Sequence, residues 1–354
     1  MTLIVFLVVI ALAFEYINGF HDAANAIATS VATKVLTARQ AVTLAACCDL
    51  MGAMAGTAVA KTIAEGLVDI NFVSLNTIMC SLLAAIIWNL LTWWLGLPSS
   101  SSHALIGGLC GATLASANNN WAVIKWSVEN PVTHHMQGLY HKVVVPMFVS
   151  PVFGTLVGFA FMGLIIFLIR KWRPVRVNSF FGKVQILSAA WMSFGHGMND
   201  AQKTMGIIAL TLYTGTKAGA LAGLPPFLSF LETPNFEIST WIKATCALVM
   251  AGGIATGGWR IIKTMGTKLV RLQPVHGFAA QTTAAAVIQV GSLWGMPLST
   301  THVISTSIMG VGATKRLNAV KWSLMGRIVW AWVLTIPVTG FLGYFLAKCF
   351  AVIK

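Results

Sequence analysis

Charge is what this sequence has least of. Only 9% of its 354 residues are Asp, Glu, Lys or Arg, and 57% are hydrophobic, whereas a soluble domain carries roughly 25% charged residues. Residues 70–124 contain none of the four charged types, and neither do residues 272–314. Each run exceeds the roughly 20 apolar residues that cross a bilayer, so each holds more than one membrane-embedded segment. An ordinary soluble domain is thereby excluded. Cysteine is sparse as well. Cys47, Cys48, Cys80, Cys110, Cys246 and Cys349 show no CxxC spacing and lie mostly in apolar segments, which excludes a disulfide framework and a cysteine zinc site. The first apolar stretch lacks a basic leader and runs straight into polar residues, so it reads as a retained first helix.

The net charge of +14 does not indicate a nucleic-acid partner. The basic residues form short clusters between apolar runs, densest at Arg170, Lys171, Arg173 and Arg176. That distribution fits the enrichment of Lys and Arg in cytoplasmic loops of a protein whose partner is the lipid bilayer.

What the sequence does contain is a repeat. Asn18-Gly19-Phe20-His21-Asp22-Ala23-Ala24-Asn25 lies on His196-Gly197-Met198-Asn199-Asp200-Ala201-Gln202-Lys203 at an offset of 178. Leu97-Pro98-Ser99-Ser100-Ser101-Ser102-His103 lies on Met296-Pro297-Leu298-Ser299-Thr300-Thr301-His302 at an offset of 199. Lys125-Trp126-Ser127 matches Lys321-Trp322-Ser323 in the same order. The chain divides into transmembrane repeat 1 over residues 1–169, a short cytoplasmic linker over 170–183 and transmembrane repeat 2 over 184–354.

Loop charges predict that the two repeats are inverted. Lys61, Glu65 and Asp69 give −1 where Arg260, Lys263, Lys268 and Arg271 give +4. One element earlier the signs reverse, from +2 at Lys34 and Arg39 to −1 at Lys217, Glu232 and Glu237. Corresponding loops therefore fall on opposite sides of the membrane, a pattern found chiefly in transporters. With the basic linker inside, both termini are extracytoplasmic. The fold class expected is an all-α integral membrane protein of two inverted-topology repeats, with broken helices at 18–25 and 196–203. Helical hairpins should turn at the Pro-Ser and Pro-Leu-Ser segments.

Asp22 and Asp200 are the informative carboxylates, because a charge inside a span costs at least ~2.5–3.5 kcal/mol and is retained for function. Carboxylate, amide and hydroxyl oxygens suit Na⁺, and an unpaired carboxylate suits a proton. Asn199 and His21 stand beside these acids, and Glu15 lies one face upstream, placed to feed protons. The alternative is that both acids merely cap helices. The hairpin tips supply Ser100, Ser101 and Ser102 in one repeat and Ser299, Thr300 and Thr301 in the other. Helix N-termini with free N–H groups and hydroxyls form oxyanion sites, although a lone serine run is commonly just a cap. Asn25, Gln202 and Lys203 complete the anion-binding set, with Lys203 standing where repeat 1 has Asn25; snorkelling is its alternative role. His103 and His302 are expected to orient the tips by hydrogen bonding. Together with His21 and His196 they also allow a membrane-embedded metalloenzyme, but no HExxH spacing supports one. An anion channel is a further alternative that leaves the buried acids without a purpose. The residues alone thus reach a small oxyanion moving with a cation.

Gly19-Phe20-His21-Asp22-Ala23-Ala24-Asn25-Ala26 and Gly195-His196-Gly197-Met198-Asn199-Asp200-Ala201-Gln202-Lys203 resemble the two signatures of the PiT family of inorganic phosphate transporters. The two hairpin-tip segments and Leu83-Ala84-Ala85-Ile86-Ile87-Trp88-Asn89 fit the same family, so the likeness covers essentially the whole chain. It implies symport of phosphate with H⁺ or Na⁺ by alternating access, in the inner membrane, without a resident cofactor, and commonly as a homodimer. It also implies that Asp22, Asn25, Asp200 and both tips line the substrate and cation site, with Na⁺ as one occupant at the two acids. A neutral metal–phosphate complex is one transported form among bacterial relatives, and sulfate is the nearest rival anion. The first signature has His-Asp where sodium-coupled members show Asn-Asp, which favours protons. The short linker leaves no room for a large cytoplasmic domain.

Overall fold

A computed structural model describes residues 1–129, 134 and 136–352. Repeat 1 comprises α1 (Thr2–Ala32), α2 (Ala38–Met54), α3 (Ala58–Glu65), α4 (Leu75–Leu95), α5 (Ser101–Ser116) and α6 (Val145–Ile169). Repeat 2 comprises α7 (Pro174–Lys217), α8 (Thr240–Thr256), α9 (Trp259–Lys263), α10 (Pro274–Leu293), α11 (Thr300–Ala313) and α12 (Trp322–Val352). Among the described residues, strand structure is confined to the hairpin Val128–Glu129 with Met136–Gln137. Helices α1, α4, α6 with the turn before it, and α12 are each long and apolar enough to cross a bilayer. The pairs α2–α3 and α8–α9 pass only as bent units, at 69° and 58°.

Corresponding elements pack on each other's halves. Helix α5 lies against α12 and α11 against α6, while α2 lies against α7 and α8 against α1. Between helices in lipid, close packing needs small residues, and the sequence supplies them at matching places. A Cβ on Gly19 would stand 2.5 Å from Met250 O, and one on its repeat partner Gly197 would collide with Asp49 O. Gly111 meets Gly340 O on α12, and Gly310 meets Thr155 O on α6.

One expectation is corrected here. The Asp-bearing motifs do not interrupt their helices, because α1 and α7 run unbroken through 18–25 and 196–203. Their glycines serve close approach to α8 and α2, so the backbone keeps its helical hydrogen bonds where neighbouring helices bury it. The breaks fall at residues 55–57 and 257–258, and at the hairpin turns. Pro174, at a helix start where its missing N–H costs nothing, begins α7 directly, leaving only residues 170–173 between α6 and α7. At ~1.5 Å per residue, the 44 residues of α7 extend roughly 66 Å, about twice the hydrocarbon core.

Candidate functional site

Each hairpin turn follows from its local sequence. Gly96 closes α4 in the left-handed region at φ 66°, and Gly295 follows α10 at φ 65°, conformations that glycine adopts without a Cβ penalty. Pro98 and Pro297 prevent helix continuation. Ser100 then caps α5 by accepting from His103 N at 3.2 Å, and Ser299 caps α11 by accepting from His302 N at 3.2 Å. The helices therefore begin at Ser101 and Thr300, as the sequence suggested. Each turn is held by the other repeat. Thr264 Oγ1 donates to Gly96 O at 2.9 Å, and Thr62 Oγ1 donates to Gly295 O at 2.7 Å.

The two tips meet in the protein interior. The rings of His103 and His302, equivalent residues of the two repeats, lie 5.0 Å apart edge to face, and Ser102 Oγ donates to Leu298 O at 3.3 Å. His302 also stacks on Trp332 at 4.1 Å. Neither ring nitrogen of His302, nor His103 Nδ1, has a hydrogen-bond partner among the described residues. Their expected role as hydrogen-bonding orienters is thus corrected: they position the tips by ring packing.

Around this junction the motif residues converge. Asn25 Nδ2 donates to Thr300 Oγ1 at 3.0 Å and to Thr301 Oγ1 at 2.9 Å. Thr300 Oγ1 donates in turn to Asp200 Oδ2 at 3.1 Å, and Thr301 Oγ1 to Asp22 Oδ1 at 3.5 Å. Lys203 is fully enclosed, with Nζ 2.5 Å from Asp200 Oδ1 and a hydrogen bond to Ser102 Oγ. Ser101 Oγ is buried and unpartnered at the N-terminus of α5. Asp22, His196 and Asp200 offer ligand atoms all within 4.8 Å of one another. The arrangement combines two helix N-termini, hydroxyls and an ammonium for an oxyanion with carboxylate oxygens for a cation or proton.

The remaining predicted residues surround this centre. His21 Nδ1 lies 2.7 Å from Asp22 Oδ1, and its Nε2 lies 3.1 Å from Thr92 Oγ1 at the end of α4. Asn199, the repeat equivalent of His21, donates to Ser292 Oγ at 2.8 Å and Met296 O at 3.1 Å at the end of α10. Glu15 Oε2 accepts from Thr204 Oγ1, while its Oε1 has no hydrogen-bond partner among the described residues. Gln202 does not join the anion-binding set. Its Oε1 accepts from Val59 N at 2.8 Å and Ala60 N at 3.3 Å, and its Nε2 donates to Met198 O at 2.7 Å. The free N–H groups of α3 need an acceptor, and Gln202 supplies it.

Asp49 of α2, an intramembrane acid with Leu248 at the matching position of the second half, also joins the site. Its Oδ1 lies 2.6 Å from His196 Nδ1, and His196 Nε2 lies 3.2 Å from Asp200 Oδ2. The absence of an acidic repeat counterpart concealed this chain. The signal available was that a buried intramembrane acid requires a partner, and His196 was the unassigned candidate.

Two helical repeats that share one buried polar centre, embedded among membrane-crossing helices, define a multi-pass membrane protein of the transporter class. The Phosphate transporter family matches residues 18–343, and the chain belongs to that family. It is 43% identical to a probable low-affinity inorganic phosphate transporter of Mycobacterium bovis, over 97% of this chain and 76% of that one. A protein of Bacillus subtilis bearing the same description is 41% identical, over 96% of this chain and 95% of its own length. The solved structure of a sodium-dependent phosphate transporter superposes with a TM-score of 0.82 at 24% identity, covering 100% of each chain. That likeness establishes the fold.

Proposed function

We propose that this protein imports inorganic phosphate across the inner membrane by symport with H⁺ or Na⁺, through alternating access of its two repeats. The observation that carries the reading is the meeting of the α5 and α11 N-termini beside Asp22 and Asp200. Phosphate oxygens would accept from the N–H groups at the two tips, from Ser101, Ser102, Thr300 and Thr301, and from Lys203. Two carboxylates and one ammonium leave this centre at −1 formally, so a phosphate anion enters only with positive charge beside it. Burial of an uncompensated charge costs several kcal/mol, which is the physical basis for coupling.

Asp22 is the coupling residue in this reading. Its Oδ2 receives no hydrogen bond among the described residues, whereas Asp200 is held by Lys203, His196 and Thr300. The His-Asp signature favours a proton. A Na⁺ ion would take Asp22 with the neighbouring hydroxyl and amide oxygens. Loop charges and the reciprocal packing of equivalent helices support an inverted topology with both termini extracytoplasmic, and a homodimer is the expected assembly.

Uptake of labelled phosphate into proteoliposomes tests the proposal under an imposed proton gradient and, separately, an imposed Na⁺ gradient. Wild-type protein should accumulate phosphate under one of them, and Asp22→Asn protein that remains folded should not. Undiminished accumulation by Asp22→Asn would remove Asp22 from the mechanism. Stronger competition by sulfate than by unlabelled phosphate would reassign the anion.

A further inference from the structure

Away from the central site, three neighbouring concavities share lining residues near the α6–α7 connection. The first, about 460 Å³, is apolar and is lined by Phe161 and Ile165 of α6, Phe181 and Val184 of α7, and Phe278 of α10. Ile169 and Trp172 also line the second, about 360 Å³, where Arg170, Asn178, Gln273, His276 and Lys315 appear. Lys315 in turn lines the third, about 470 Å³, with Lys268, Arg271, Arg316 and Lys321. No carboxylate lines any of the three. The acids outside the buried centre are Glu65 at the end of α3, Glu129 in the short strand, and Asp69, Glu232 and Glu237 in other connections. The basic bowl is a built feature, since Lys321 N donates to Leu269 O at 3.1 Å and ties its two walls together.

An apolar groove that leads past an arginine into a pocket of lysines has the chemistry of an amphiphile with an anionic head. We infer that this series is a binding site for one anionic phospholipid. An acyl chain would lie in the groove between α6, α7 and α10, with the phosphodiester at Arg170 and Lys315 and further headgroup oxygens in the basic bowl. Basic pockets between membrane helices on the cytoplasmic side select such headgroups. Five cations around one cavity repel each other, and an anion at that position relieves the repulsion. The occupant would bridge α6, α7, α10 and the loop after α11, clamping the four-residue connection between α6 and α7. This site is independent of the phosphate centre, and its chemistry would hold if the transported anion were another.

The test uses the purified full chain in detergent, with melting temperature and native mass spectrometry as readouts. Phosphatidylglycerol should raise the melting temperature and remain bound, whereas phosphatidylcholine should do neither. Arg170→Gln with Lys315→Gln should lower bound phosphatidylglycerol about 25-fold, taking about fivefold for each basic residue at an anionic lipid. Arg39→Gln with Lys171→Gln, basic residues that line none of the three cavities, should bind as the wild type does. If the double variant yields little protein, Lys315→Gln alone, on an exposed loop, carries the test with about a fivefold loss. Equal stabilisation by both lipids, or an equal loss in the Arg39/Lys171 control, would overturn the site. Inorganic phosphate forms the last arm, and its stabilisation should survive Arg170→Gln/Lys315→Gln. Loss of that effect, with lipid binding intact, would show a free-anion pocket instead.

Discussion

The motif segments of α1 and α7 match in sequence, yet the protein treats their acids differently. Asp22 keeps one oxygen without a hydrogen-bond partner among the described residues, flanked by His21 and Thr301. Asp200 is enclosed between Lys203 on one oxygen and His196 and Thr300 on the other. Two substitutions give Asp200 partners that Asp22 lacks. Lys203 stands where α1 has Asn25, and His196 stands where α1 has Asn18, whose amide atoms are buried without hydrogen-bond partners among the described residues. One half has become a fixed ion network and the other has kept a carboxylate to spare. The two matching segments thus place their acids in similar positions and hold them to different extents.

The largest effect should come from breaking the fixed half. Lys203→Met leaves Asp200 buried beside His196 and Thr300 without its ammonium, which should cost ~3–5 kcal/mol and appear as a large drop in melting temperature in detergent. Lys203→Met with Asp200→Asn should recover much of that loss. A single variant as stable as the wild type would show that the ion pair is not structural. His196→Asn makes α7 resemble α1 and strips a partner from both Asp49 and Asp200. A loss of roughly 1–3 kcal/mol is expected, measured against an Asp49→Asn/His196→Asn double variant that should be less than additive. Additive losses would mean that the two residues act separately.

Smaller again is Gln202→Ala, which removes the acceptor for Val59 N and Ala60 N. About 1 kcal/mol of stability should be lost, with the KM for phosphate unchanged in uptake assays. A raised KM with unchanged stability would return Gln202 to the anion site. These three variants leave the free side of Asp22 untouched, so its gradient test remains an independent arm of the comparison.

Much of this was legible in advance. Segments without charge required a membrane, and the repeat announced two equivalent halves. Serine and threonine after proline marked the helix starts at Ser101 and Thr300. Asp22, Asn25, Asp200 and Lys203 were singled out by burial cost and by repeat position, and the fold brings them within contact of the tips. The misses share one cause. Gly19 and Gly197 looked like helix breakers, and Gln202 like an anion ligand, because a sequence shows a residue's chemistry and not its neighbour. Whether a glycine bends a helix or admits another one depends on which backbone lies across from it.

By itself, the sequence determined the solvent, the duplication and the inventory of chemical groups, since bilayer energetics act on local composition. Only the tertiary structure decided pairing. It gave Asp49 to His196, Gln202 to α3 and the rings of His103 and His302 to each other. It also left Asp22 with an oxygen unclaimed. Such choices involve residues up to 199 positions apart, and in a low-dielectric interior the nearest polar partner, not the nearest residue in sequence, sets the energy of each group.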